Sequence, residues 1–158
     1  CITWFGSLLV LFPSALAIAV IFRRVFDFSD ILLVLGGLLG ASTLSHILKI
    51  VIARPRPLVT GEMMVSMPSD FSFPSAHTAQ AVAFFLSLTF VATRGVPLKS
   101  TFLVWGISCF LMLMVGVSRV YLKVHYVSDV VAGAVLGVAW VLLLKWIINL
   151  FFTGGGHA

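Results

Sequence analysis

Lys49 stands seven residues ahead of Arg56-Pro57, Pro74-Ser75-Ala76-His77 follows, and Ser118-Arg119 leads on to His125 and, four residues later, Asp129. Each type in this set has a use on a phosphate. An arginine presents a planar fork that meets phosphate oxygens in pairs, and a lysine adds a point charge. Unpaired cations repel one another and resist desolvation, so a cluster of Lys49, Arg56 and Arg119 is stable when an anion sits within it. Ser75 adds a hydroxyl near the start of a predicted helix, whose first N–H groups favour negative charge. A dianionic phosphate satisfies this set better than a carboxylate does. Any one of these cations alone would read as a side chain snorkelling to a membrane surface. Together with two histidines they read as a site.

The histidines supply the reactive groups. His125 and Asp129 are spaced to share one face of a helix. A carboxylate that accepts a hydrogen bond from one ring nitrogen fixes the tautomer and leaves the other nitrogen free to attack. His77, from a different helix, is the candidate general acid for a departing oxygen. His46 lies with Ser42, Ser45 and Lys49 on one polar helix face and reads as support, while His157 in the terminal Gly-Gly-Gly-His-Ala reads as a disordered tail. Metal chemistry is disfavoured by the 5 acids of the chain. Asp27 and Asp30 fall on the far side, Asp129 is committed to His125, and Glu62 with Asp70 makes a poor cage for a hard cation. Charge on a transferring phosphoryl group then falls to Lys49, Arg56 and Arg119, with no metal and no cofactor expected.

These residues need a scaffold, and the rest of the chain is a membrane scaffold. Of its 158 residues 61% are hydrophobic and 9% charged, with a mean hydropathy of +1.17. Apolar runs cover 1–22, 31–48, 78–93, 101–118 and 130–144. A bilayer core needs roughly 20 apolar residues per helix, and backbone in lipid must satisfy its own hydrogen bonds. The expectation is an all-α, polytopic transmembrane helix bundle of about five spans, as one integral membrane domain over 1–158. The chain does not begin with Met, which leaves room for a sixth span upstream in the full-length protein. A secretory signal is a weaker reading of the first run, which lacks a charged front region. The net charge of +5 fits cations at helix ends facing anionic lipid better than nucleic acid. The partner that composition implies is the bilayer, with no obligate protein partner; a phosphorylated membrane lipid as substrate is what the family resemblance given below implies. Cys1 and Cys109 form no disulfide framework.

Helix rise sets which charges share a face. Asp30 to Lys49 spans about 28 Å, His77 to Arg94 about 25 Å, Lys99 to Arg119 about 30 Å and Asp129 to Lys145 about 24 Å. The chain turns over between them, so Lys49, Arg56, His77, Arg119, His125 and Asp129 gather at one membrane face. Arg23, Arg24, Arg94, Lys99 and Lys145 gather at the other, which the positive-inside rule makes cytoplasmic. The one long connection is 54–74, where prolines stop the preceding helix. Its middle, 61–67, reads equally as an interfacial segment beside the substrate entrance or as a plain amphipathic connector lying on the bilayer. Gly36 with Gly40, Gly133 with Gly137, and the stripe Ser75, Ala79 and Ala83 have the spacing of close helix packing. Gly36, Gly37 and Gly40 are not a nucleotide loop, because no Gly-Lys-Ser/Thr follows.

The three strings resemble the signature motifs of the type 2 phosphatidic acid phosphatase superfamily, in its bacterial membrane lipid phosphatase branch. That pattern is Lys, six residues, Arg-Pro; then Pro-Ser-Gly-His; then Ser-Arg, five residues, His, three residues, Asp. Order and spacing match through Lys49, Arg56-Pro57, Pro74-Ser75-Ala76-His77, Ser118-Arg119, His125 and Asp129. The resemblance implies a metal-independent phosphatase acting on a monoester or diphosphate of a membrane lipid, of the phosphatidylglycerol phosphate, phosphatidic acid, polyprenyl diphosphate or lipid A type. In it His125 forms a phosphohistidine, Asp129 orients His125, and His77 protonates the departing oxygen and then activates water. Lys49, Arg56, Arg119 and Ser75 hold the phosphate oxygens, with the backbone N–H of Ala76. With the positive-inside reading, the expectation is a multi-pass protein of the bacterial inner membrane with its site facing the periplasm or outside. Ala76 stands where the family has Gly, and a methyl there narrows the backbone conformations open to the loop. Membrane members of the family have six helices, against about five spans read here. Two other readings are weaker. Vanadate-dependent haloperoxidases share the anion cradle but are soluble. A transporter or channel for a phosphate-bearing molecule needs polar residues at mid-membrane on several helices, whereas only the 42–46 patch goes deeper here.

Overall fold

The computed structural model describes residues 2–58 and 68–153. The expected interfacial segment with Glu62, the tail with His157, and Cys1 lie outside the described residues. Among the described residues five α-helices follow a short 3-10 turn at Ile2–Gly6: α1 (Leu8–Ile21), α2 (Phe28–Ile52), α3 (Ala76–Ala92), α4 (Leu98–Tyr121) and α5 (Val127–Ile148), with a π turn at Asn149–Thr153. The bundle is all-α, as expected. Three segments, Phe28–Ile52, Leu98–Tyr121 and Val127–Phe152, are long and apolar enough to cross a membrane, while α1 and α3 are shorter apolar helices.

Local chemistry sets the helix ends. Asp27 and Asp30 cap α2 reciprocally, the Asp30 N–H reaching Asp27 Oδ1 at 2.9 Å and the Asp27 N–H reaching Asp30 Oδ2 at 3.2 Å. At its other end Ala53 turns left-handed (φ 49°), its N–H closing on Lys49 O at 2.9 Å, and Arg54-Pro55 cannot continue the helix. Ser75 caps α3, accepting from the Thr78 N–H at 3.4 Å and from Thr78 Oγ1 at 2.9 Å.

Helix α3 is the buried axis of the bundle, packed against α1, α2, α4 and α5. Ala79, Ala81 and Ala83 are fully buried and let the neighbours approach. A Cβ on Gly133 would lie 2.5 Å from Ser75 O, and one on Gly137 2.8 Å from Ala79 O, so only glycine allows α5 to press on the α3 backbone here. Trp140 of α5 donates Nε1–H to Gly36 O of α2 at 3.0 Å. The glycine spacings are therefore packing devices. Phe102, Phe110 and Leu113 of α4 and Leu142 and Trp146 of α5 point outward, the arrangement of a bundle solvated by lipid.

The first apolar run behaves differently from the expectation of one span. It breaks at Ser7, between the 3-10 turn and α1. The reason is tertiary. Gly6 packs so tightly that a Cβ would come within 2.8 Å of His77 O, and Thr3 Oγ1 accepts from Arg119 Nη1 at 2.6 Å. The turn covers the site end of α3 and α4. At the opposite end Arg94 pairs with Asp30 and, at 3.6 Å, with Asp27, and Lys145 Nζ lies 3.7 Å from the Phe90 ring centroid. The two charged ends are those read from helix rise.

Candidate active site

A cavity of about 330 Å³ opens at the end of the bundle where α2 and α4 finish and α3 and α5 begin. Lys49, Arg56, Asp70, Ala76, His77, Arg119 and His125 line it. The site residues read from the motifs are thus brought together, with two exceptions that stand behind the wall. Ser75 is fully buried as the α3 cap, and Asp129 is fully buried in the first turn of α5. A larger apolar cavity of about 630 Å³ at the opposite end holds only the Asp30–Arg94 pair in charge and no nucleophile.

The cations come from three elements. Lys49, in the last turn of α2 and 3% exposed, donates Nζ to Phe71 O and lies 3.0 Å from Asp70 Oδ2. Arg56 follows the proline stop. Its Nε donates to Asp70 O at 2.8 Å, its Nη1 to Val124 O at 2.6 Å, and its Nη2 to Asp70 Oδ1. Arg119 ends α4, held by Thr3, and its buried Nε has no partner among the described residues. A charged donor left open beside a cavity is a place for an anion.

Asp70 is the anion present. From sequence it is one of the few acids near the cations and a poor metal ligand. Instead it bridges Lys49 and Arg56 where phosphate oxygens would go. Burial opposes its charge, but its hydrogen bonds to Arg56 and Lys49 outweigh burial and hold its carboxyl below the ordinary carboxylate value. Among the described residues no three His, Cys, Asp or Glu side chains gather as metal ligands.

His125 is not on a helix, contrary to the shared-face reading. It sits in the turn between α4 and α5, after Lys123 takes a left-handed φ of 56°. The pairing with Asp129 survives because Asp129 begins the next helix, with its Oδ2 3.4 Å from His125 Nδ1, though not aligned as a hydrogen bond. On the other side Arg56 Nη1 is 3.4 Å from His125 Nε2. A guanidinium can only donate, so Nε2 is the unprotonated nitrogen and the proton is on Nδ1, facing Asp129. Burial, followed by the charges of Arg56, Arg119 and Lys49, outweighs Asp129 and pushes His125 down to about 3. A ring held neutral in this way turns an unprotonated nitrogen to the cavity, the form that a nucleophilic step requires. His77 enters from the first turn of α3, whose N–H groups begin at Ala76 on the cavity wall.

Arg54 escaped the sequence reading. Its Nη1 donates to Asp129 Oδ1 and to Ser128 Oγ, both at 2.7 Å, and its guanidinium lies 4.2 Å from the Tyr126 ring centroid. The Asp129 Oδ2 accepts from the Tyr126 N–H at 2.9 Å. The repeated Arg-Pro in 54–57 was the available signal, but only the second arginine has the motif spacing.

Residues 30–152 match the model of the PAP2 superfamily. The chain belongs to that superfamily. Phosphatidylglycerophosphatase B of Bacillus subtilis is 32% identical over 149 residues, covering 91% of this chain and 70% of the relative. The decaprenylphosphoryl-5-phosphoribose phosphatase of Mycobacterium tuberculosis is 32% identical over 103 residues, 65% of this chain and 52% of that protein. A crystal structure of a transmembrane PAP2-type phosphatidylglycerolphosphate phosphatase from Bacillus subtilis superposes with a TM-score of 0.84 at 31% identity, covering 95% of this chain and 74% of that one. This PAP2 protein is a multi-pass membrane protein and a lipid phosphatase, and the resemblance read from its motifs holds.

Proposed function

We propose that this PAP2 protein removes the terminal phosphate of a membrane lipid without metal, through a phosphohistidine on His125, at the outer face of a bacterial inner membrane. The observation that carries this reading is the gathering of His125, its Nε2 3.4 Å from Arg56 Nη1, in one cavity with Lys49, Arg56 and Arg119 and with His77 from another helix. The names of the two curated relatives, both lipid phosphatases, agree with it.

The reaction balances with these groups alone. The three cations take the equatorial oxygens as charge develops there. His125 Nε2 bonds to phosphorus as the P–O bond to the lipid breaks, and His77, which takes up a proton from solvent once the phosphate dianion is bound beside it, gives that proton to the departing oxygen. The Nδ1 proton stays on His125, and its positive charge is met by Asp129, which Arg54 holds in place. Neutral His77 then takes a proton from water, the hydroxide displaces His125 from phosphorus, and inorganic phosphate leaves. Asp70 must yield Lys49 and Arg56 to the incoming phosphate. The α3 N–H groups at Ala76 complete the cradle.

The test is phosphate release from a panel of phosphorylated lipids in mixed micelles, with and without a chelator, for the parent protein and His125→Ala. Chelator-resistant release, inhibition by vanadate and loss of turnover in the variant are expected. Activity that the chelator abolishes and His125→Ala retains overturns the reading. A transporter would carry the lipid phosphate across liposomes and release no free phosphate.

A further inference from the structure

Two polar side chains face the same cavity and have no part in the chemistry above: His46 of α2 and Gln80 of α3. His46 precedes Lys49 by three residues and Gln80 follows His77 by three. Because α2 reaches the site with its C-terminus and α3 leaves it from its N-terminus, both lie about 4.5 Å deeper in the bundle than the cradle. A phosphate held by Lys49, Arg56 and Arg119 fills the upper part of the cavity. The group hanging below it, at the depth of His46 and Gln80, is the alcohol that leaves.

The hydrogen bonds of these residues fix what they offer. His46 Nδ1 lies 2.8 Å from Ser42 O. A carbonyl only accepts, so Nδ1 holds the proton and Nε2 of the neutral ring is an acceptor. Gln80 Nε2 donates to Ser42 Oγ at 2.9 Å, which leaves Gln80 Oε1 as a second acceptor. Neither Nε2 of His46 nor Oε1 of Gln80 has a partner among the described residues. His46 is exposed at the cavity edge beside Leu8 and Leu9, so the acceptors stand between an apolar rim and the cradle. These acceptors call for a donor, and an alcohol bearing a further free hydroxyl supplies one. The esters of phosphatidic acid and the chains of prenyl diphosphates supply none and leave acceptors unpaired in an apolar setting.

Resting on the phosphatase reading, we propose that His46 and Gln80 make this site selective for lipid phosphates whose leaving alcohol carries a free hydroxyl next to the phosphate ester, a glycerol or sugar phosphate, over phosphatidic acid and prenyl diphosphates. The measurement is the ratio of kcat/KM for phosphatidylglycerol phosphate to that for phosphatidic acid of the same acyl chains in mixed micelles. The parent protein favours the first by about tenfold, the worth of one well-made hydrogen bond. His46→Leu brings the ratio close to one, and His46→Gln, which restores an acceptor, recovers part of it. A second measurement needs no variant: glycerol 1-phosphate, compared with propyl phosphate of equal charge, inhibits the parent with an inhibition constant about tenfold lower. A parent ratio near one, equal inhibition constants, or a ratio untouched in His46→Leu overturns the inference while phosphate release continues. No release from any lipid in the panel is instead the failure of the phosphatase reading, and the inference falls with it.

Discussion

Arg54 and Asp129, 75 residues apart in sequence, meet at 2.7 Å, and this contact rather than His125 takes the first oxygen of the carboxylate. Asp129 is fully buried, and its second oxygen is held by the Tyr126 N–H and faces Nδ1 of His125. The orientation of His125, the proposed nucleophile, therefore depends on an arginine that does not line the cavity. Arg54→Gln should lower kcat on the order of 10²-fold by letting the imidazole move out of line, with KM changed far less. Arg54→Lys should recover part of the loss, since a point charge keeps the ion pair but not the shared contact to Ser128. Steady-state kinetics on the three proteins decide it. Equal losses in kcat and in lipid affinity would make Arg54 a merely structural residue.

Asp70 pairs with Lys49 and Arg56, two of the cations proposed to hold phosphate. Asp70→Asn removes that competing charge while keeping the side-chain shape. Orthovanadate should then inhibit at a concentration roughly tenfold lower, the scale of one hydrogen bond to a charged group. The carboxyl is held below its ordinary value, so the pairing with Lys49 and Arg56 is complete above the usual carboxylate range and is lost as pH falls through the lowered value. The gain in vanadate affinity should accordingly hold across neutral pH. A weaker inhibitor in the variant would mean that Asp70 aims the cations and does not compete with the ligand.

The depression of His125 has a sign that can be measured. The folded protein favours the neutral ring and the unfolded chain protonates near 6.5, so between that value and about 3 the unfolded state binds more protons. Stability from this residue is full above about 6.5 and declines as pH falls toward about 3. Melting temperature in detergent should drop more steeply between pH 7 and pH 4 for the parent protein than for His125→Gln, which has no proton to gain. Parallel curves for the two proteins would contradict the burial of a neutral imidazole under three cations.

The motif residues were legible in the sequence because their order and spacing encode a chemistry. Lys49, Arg56, His77, Arg119 and His125 reach one cavity through helix rise alone, since each lies near the same end of its apolar run. Arg54 and Thr3 were not legible. What they touch is set by the crossing of distant helices, and neither local spacing nor residue type points from 54 to 129 or from 3 to 119. The break of the first run at Ser7 was hidden for the same reason, because the contact of Gly6 with the His77 carbonyl exists only once α3 and α4 are assembled. His125 was placed on a helix because its spacing to Asp129 suits one, yet the left-handed Lys123 ends α4 first and the same spacing is met across a helix start.

Gly133 ties the packing of the bundle to its chemistry. It sits in α5 where a Cβ would come 2.5 Å from the carbonyl of Ser75, the residue that caps α3 and precedes Ala76 and His77. Two effects oppose each other in Gly133→Ala. Helix propensity favours alanine by about 1 kcal/mol. Overpacking against a backbone carbonyl that cannot rotate away costs about 1–3 kcal/mol and pushes the α3 N-terminus off α5. Gly106 of α4 is the matched control, because nothing lies within 4 Å of its would-be Cβ. Gly106→Ala should keep or raise the melting temperature and leave turnover as it is. Gly133→Ala should lower the melting temperature and cut kcat at least tenfold, since displacing Ser75 carries His77 away from the phosphate held by the cations. Thermal unfolding and phosphate release on the same detergent preparations separate the two variants. Similar behaviour of the pair would show that the α3 start is not braced by α5, and that the position of His77 is set by other contacts, such as that of Gly6 with the His77 carbonyl.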